Sequence, residues 1–225
     1  MRRTLQAGRG MAPRWAQSDA MAASHTITTP AQLQRLFGPV GEASLRKETA
    51  CIPPVYRRWI EASPFVVLAT SGPGGLDASP RGDPPGFVVV EDDRTLLLPE
   101  RRGNNRIDSL RNILADPRVA LLFLIPGVGE TLRVNGTARI RTDPALLDRL
   151  AMDGKPPQCV LRIAVETVFF QCARAMQRSA LWGGTGRRPE GVPTPGEMLQ
   201  ALTAGGIDGQ RYDRELPARQ RSTLY

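Results

Sequence analysis

Phe65-Val66-Val67-Leu68-Ala69-Thr70 followed by Ser71-Gly72-Pro73-Gly74-Gly75 is the stretch that decides the fold. The first six residues are apolar and partly β-branched, the composition of a short buried strand, and the next five are dense turn chemistry. A hairpin is predicted, with its return strand over 76–81. Gly82-Asp83-Pro84-Pro85-Gly86 breaks that strand; β character resumes over 87–90 and, after Asp92-Asp93, over 95–98. Between Pro99 and Pro117 the periodicity turns helical, with Ile107, Leu110, Ile113 and Leu114 spaced for one buried face. Further strands are predicted over 119–125, 131–141 and 160–172, with a helix over 144–152.

Upstream, Thr29-Pro30 reads as an N-cap and first helical residue, with Leu33, Leu36 and Phe37 at helical spacing before Gly38. A second helix starts at Pro53-Pro54, where Val55, Trp59 and Ile60 share a face until Ser63-Pro64. Downstream, Gly183 to Pro189 reads as a linker, 195–202 as a short amphipathic helix around Met198, Leu199 and Leu202, and the rest as a polar, basic tail. Many short strands joined by tight turns, with few helices between them, predict a mainly β chain with α (α+β): an antiparallel barrel with peripheral helices. No GxGxxG opens a helix after the first strand, so a dinucleotide fold lacks its central feature. The organisation expected is a disordered tail over 1–27, one barrel domain over 28–185, and a linker, helix and tail over 186–225.

Composition bounds the function. Hydrophobic residues make up 41% and charged residues 23%, enough apolar material for a core. Cys51, Cys159 and Cys172 show no CxxC spacing, so neither a zinc site nor a disulfide framework is expected, and a cytoplasmic chain with reduced thiols fits. The single histidine, His25, cannot build a metal cluster or a nucleophilic relay, so no metal site is expected. No run approaches the ~20 apolar residues of a membrane span. The net charge of +8, carried almost wholly by arginine, suits bidentate recognition of phosphate and equally an arginine-rich surface. A nucleic-acid-binding role is disfavoured, since acids interleave the basic residues and only 5% of residues are aromatic.

Two segments carry candidate chemistry. In Glu100-Arg101-Arg102-Gly103-Asn104-Asn105-Arg106-Ile107-Asp108-Ser109-Leu110-Arg111-Asn112 a strand end runs through a glycine turn into a helix. Free N–H groups at a helix start, with Arg102 and Arg106 beside them, suit an anion, while Asn104 and Asn105 can cap the helix or donate amide hydrogens. An exposed, capped helix studded with arginine has the same sequence. In Ser79-Pro80-Arg81-Gly82-Asp83, a strand breaks where side chains are commonly re-aimed into a site; a local surface pair of Arg81 with Asp83 is the plainer alternative.

The order of these segments, with the strand ending Leu98-Pro99 between them, resembles the pyridoxamine 5′-phosphate oxidase-like flavoproteins over roughly residues 30–182. The resemblance implies a split β-barrel of about six to seven strands, working as a homodimer with FMN at the interface. It further implies an FMN-dependent oxidoreductase acting on a small-molecule substrate or electron donor, with a non-catalytic flavin-binding module as the alternative. Position by position it suggests Ser79, Arg81, Arg102, Asn105, Arg106 and Ser109 for the cofactor, and Arg133 on the later strand 131–141; Asn104 joins this cofactor set by its amide chemistry alone. Trp182 matches an aromatic that such folds bring near the partner chain's flavin, though a tryptophan is as well a packing anchor. No catalytic side chain is nominated. Authentic pyridoxamine 5′-phosphate oxidases carry an Arg-x-His-type substrate motif near their end, and no histidine follows position 25 here. The resemblance therefore leaves the substrate open.

Overall fold

In the computed structural model, which describes residues 25–184, 186 and 188–222, seven antiparallel strands form one sheet. They are β1 (Phe65–Gly72), β2 (Gly75–Gly82), β3 (Val89–Asp92), β4 (Thr95–Glu100), β5 (Arg118–Leu124), β6 (Thr131–Arg141) and β7 (Cys159–Gln171). Their order is β2-β1-β5-β6-β7-β4-β3, the split barrel with peripheral helices that was expected. The decisive hairpin forms as read, with Phe65 opposite Gly82 and Gly72 opposite Gly75. All of the expected 1–27 tail except its last three residues lies outside the described residues.

Strand alternation builds the core. Val66 and Leu68 of β1, Val119, Leu121 and Phe123 of β5, and Leu132 and Val134 of β6 turn to one buried cluster, while their neighbours face outward. β4 departs from this pattern, since Leu96, Leu97 and Leu98 are all buried. Leu96 and Leu98 enter the barrel core, whereas Leu97 packs on the opposite face against Leu150 and Val160, beside Leu146 of helix α5 (Pro144–Arg149). A strand covered on both faces reads as an unbroken apolar run. Pro80 is tolerated because β2 is an edge strand, where a missing N–H disturbs no ladder on the open side.

The structure corrects two predicted helix faces. In α3 (Pro54–Ala62) the inward residues are Tyr56, Trp59 and Ile60, and Val55 is exposed. In α4 (Asp108–Ala115) Ile113 is buried and Leu110 packs against the core as expected, but Ile107 precedes the helix, Leu114 is 78% exposed, and the polar Ser109 and Asn112 are buried as well. The inward face of α4 thus runs through residues 109, 110, 112 and 113, which sets polar side chains beside Leu110 and Ile113.

Contacts divide the described residues into two units, before and after the Leu45–Arg46 junction. In the first unit α1 (Pro30–Phe37) starts with a Thr29–Gln32 capping box, and α2 (Glu42–Arg46) runs across the division. Toward the C-terminus stand α6 (Arg174–Ser179), α7 (Pro195–Leu202) and α8 (Gly209–Ser222). The expected polar tail is thus largely helix. α8 lacks an apolar stripe, so periodicity could not reveal it. Asp213 ties it to α7, accepting hydrogen bonds from Gly196 N at 2.8 Å and from the Thr194 hydroxyl. The two helices meet at glycines, for a Cβ on Gly196 would lie 2.1 Å from the Gly209 carbonyl oxygen.

The β6–β7 ladder slips at Gly136: Asn135 faces Thr167 but Gly136 faces Val165, leaving Glu166 as the extra residue of a bulge. A Cβ on Gly136 would sit 2.1 Å from the carbonyl oxygen of Ala164. Gly136→Ala is expected to destabilise the protein by about 1–3 kcal/mol or more, because backbone must move to accept it; thermal or urea unfolding measures the loss.

Candidate functional site

Edge strand β2 sets the site through its period of two. Asp77, Ser79 and Arg81 share its less exposed face, and Asp83 continues the row just beyond the strand. Helix α4 lies across the β1–β2 hairpin. Its buried Asn112 donates from Nδ2 to Thr70 Oγ1 at 3.2 Å and to the Gly75 carbonyl at 3.4 Å, and Gly72 leaves the space that Asn112 fills. One helical turn earlier, Ser109 therefore sits over β2. Its hydroxyl donates to Asp77 Oδ2 at 2.5 Å and accepts from Arg81 Nη2 at 3.1 Å, while Ser79 Oγ donates to the same Asp77 carboxylate at 2.9–3.0 Å.

The chain reaches α4 from the end of β4 through residues 101–107. Asn105 and Ile107 adopt left-handed backbone there, with φ of 58° and 52°. For a β-branched residue such as Ile107 that conformation costs on the order of 1–3 kcal/mol, which the surrounding contacts must offset. Asn104 Oδ1 holds the bend by accepting from Arg106 N at 3.0 Å. Asn104 thus turns the loop rather than capping α4, whose N-cap position is Ile107.

Two ion pairs close the site from below. Arg81 Nε donates to Glu100 Oε1 at 2.8 Å, and Arg101 Nε to Asp83 Oδ2 at 2.8 Å. Arg81 and Asp83 are therefore not partners of one another, as the plainer sequence alternative supposed. Each instead pairs across the gap between β2 and the end of β4, two strands that share no ladder.

These segments enclose a cleft of about 510 Å³, within the range of small-molecule sites. Seven nominated residues line it: Ser79, Arg81, Arg102, Asn104, Asn105, Arg106 and Ser109. Phe87, Pro99, Ile107 and Leu110 add apolar wall. Arg133 and Trp182 lie elsewhere. Arg133 sits on β6, its guanidinium over the Phe169 ring and 3.4 Å from Gln171 Oε1, and Trp182 Nε1 donates to the Val128 carbonyl at 2.8 Å.

Sequence reading missed the acids of the cleft. Its lining carries four arginines (81, 101, 102, 106) and four carboxylates (Asp77, Asp83, Glu100, Asp108), so the walls form a balanced network and not a bare cationic hole. Arg106 is paired with Asp108 at 2.8 Å, and its side chain is 76% exposed. Among the described residues the exposed Arg102 has no ion pair. Asp77 was findable, standing two residues before Ser79 on the same strand face; Glu100 and Cys159 become neighbours only through the β4–β7 register.

A family model described as pyridoxamine 5′-phosphate oxidase matches residues 52–172, just over half of the chain, including all of this cleft. The chain belongs to that family. No curated protein matches it. Among solved structures it is similar to HupZ of Group A Streptococcus, with 23% identity over 54% of this chain and 94% of that one and a TM-score of 0.44. It is also similar to an FMN-binding protein from Syntrophomonas wolfei, at 11% identity over 51% and 82% with a TM-score of 0.40. The FAD binding protein from Mycobacterium smegmatis compares at 14% identity over 55% and 97%, with a TM-score of 0.39.

In this family member burial shifts two groups of the cleft. Burial raises the Glu100 carboxyl above its ordinary value of 4.5, against the opposing pull of Arg81. Burial also pushes the Cys159 thiol up to about 11, helped by the nearby Glu100 charge, so a thiolate is absent at neutral pH. Because folding raises Glu100, the native chain binds that proton more tightly than the unfolded chain. Wild-type stability relative to Glu100→Gln should therefore fall as pH rises from 4.5 through the raised value. Paired urea titrations across that window check the sign, and a constant difference would refute it.

Proposed function

We propose that the cleft binds FMN by its phosphate and that the protein is an FMN-dependent oxidoreductase, working as a homodimer on a small-molecule substrate or electron donor. One observation carries this reading: nominated residues from two segments distant in sequence, 79–81 and 102–109, line a single cleft. Membership of the pyridoxamine 5′-phosphate oxidase family supports it, although a fold alone does not specify a reaction.

The donor set fits the cofactor. Arg102, with its guanidinium unpaired, offers charge-assisted hydrogen bonds to a phosphate at the cleft mouth, where Arg106 adds positive charge. Arg81, held by Glu100, keeps one nitrogen directed at Ser109 within the cleft. Phe87, Pro99 and Leu110 provide apolar surface for a ring system and exclude water from it. Bound flavin would supply the electron or hydride chemistry, leaving the protein to bind, orient and shield it. Within their own chain Arg133 and Trp182 lie outside this cleft, so a role for either at the flavin requires a second copy.

The purified protein is expected to be yellow and to bind FMN more tightly than riboflavin. Arg102→Ala should weaken FMN by about 1.5–3 kcal/mol, roughly 10- to 150-fold, while leaving riboflavin binding and the melting temperature unchanged. Flavin fluorescence titration measures this, and equal FMN affinity in both proteins would place the phosphate elsewhere. Reduction of the bound flavin by NADH or NADPH, followed photometrically, distinguishes an oxidoreductase from a binding module. Sedimentation of the FMN-loaded protein should give a dimer; a monomer with bound FMN contradicts the interface site.

A further inference from the structure

Asp77 has no part in the reading above, yet it lines the same cleft. Its carboxylate accepts from Ser79 Oγ at 2.9 and 3.0 Å and from Ser109 Oγ at 2.5 Å. A serine hydroxyl carries a single hydrogen. Both serines have therefore committed theirs to Asp77, and only oxygen lone pairs remain to face the cleft. Arg81 Nη2 already donates to one of those, on Ser109. A phosphate dianion brings acceptors and no hydrogen, so neither hydroxyl can bond to it while Asp77 holds them.

We propose that Asp77 is a built-in competitor for the anion of the cleft, occupying the Ser79 and Ser109 donors and thereby setting which ligand charge the site accepts. The inference rests on the proposal that a phosphate-bearing flavin binds here, and goes further in assigning a specificity role to a carboxylate opposed to it. The geometry is built and not incidental. Asp77 and Ser79 are brought to one face by strand alternation, and Ser109 is delivered by the Asn112 anchor of α4. The charges around Asp77 are those of the same wall: Arg81 through Ser109, and Arg106, which feels the Asp77 carboxylate electrostatically. To use the Ser79 and Ser109 hydroxyls, a ligand with two negative charges must take their hydrogens from Asp77 and sit beside that carboxylate. A neutral ligand meets neither obstacle.

The test is Asp77→Asn in the full chain, titrated with FMN, riboflavin and inorganic phosphate by calorimetry. The amide keeps the shape but removes the charge and leaves one neutral acceptor oxygen in place of two charged ones, which weakens the hold on the hydroxyl hydrogens. FMN affinity is expected to rise at least tenfold while riboflavin affinity stays within twofold. If wild type binds FMN and the variant binds it equally or more weakly, the competitor role is overturned and the flavin reading stands. If neither protein binds a flavin, the flavin reading has failed, and inorganic phosphate decides the role of Asp77: tighter binding to the variant supports it, equal binding overturns it. Asp77→Ser, which also removes the charge, is read by the same criteria should Asp77→Asn fail to fold.

Discussion

The cleft exists because the barrel is joined at one place by side chains and not by a ladder. β2 and the end of β4 share no backbone hydrogen bonds, and the Arg81–Glu100 and Arg101–Asp83 pairs span the gap between them. Both pairs are largely buried, with Asp83 almost completely so, which makes each partner costly to leave alone. A ladder would have brought the two strands to about 5 Å and left no room for a ligand. Salt bridges hold the same ends together while leaving a polar space above them.

The second wall of that space is a helix whose position depends on one amide. Asn112 binds Thr70 and the hairpin turn, and Gly72 gives it room. Everything N-terminal to Asn112 on α4 then has its place, Ser109 first of all. The left-handed bends at Asn105 and Ile107 are a consequence, for the chain must turn sharply between the end of β4 and a helix already anchored elsewhere. Strain in the loop and order in the helix are two sides of one constraint.

Electrostatically the site is a balance of arginines and carboxylates more than a positive patch. Arg81 serves both the seam and the cleft, since one guanidinium bonds Glu100 and Ser109 together. Such sharing lets a buried charge be satisfied by structure and still face a ligand. Arg102, which has no partner among the described residues, stands apart from it, and its removal strands no described carboxylate.

Local signals along the chain determined a good deal. The hairpin of residues 65–82, the succession of short strands, the start of α1 at its capping box and the two segments that form the cleft all follow from periodicity and turn chemistry, which act between near neighbours. Tertiary structure decided the rest. The buried face of α4 turns on Asn112 meeting Thr70 forty-two residues away, the partners of Arg81 and Asp83 turn on closure of the sheet, and α8 turns on Asp213 and a glycine contact with α7. In each case a polar group is satisfied by a partner distant in sequence, and hydrophobic periodicity records only which residues leave water, not which polar groups then find one another.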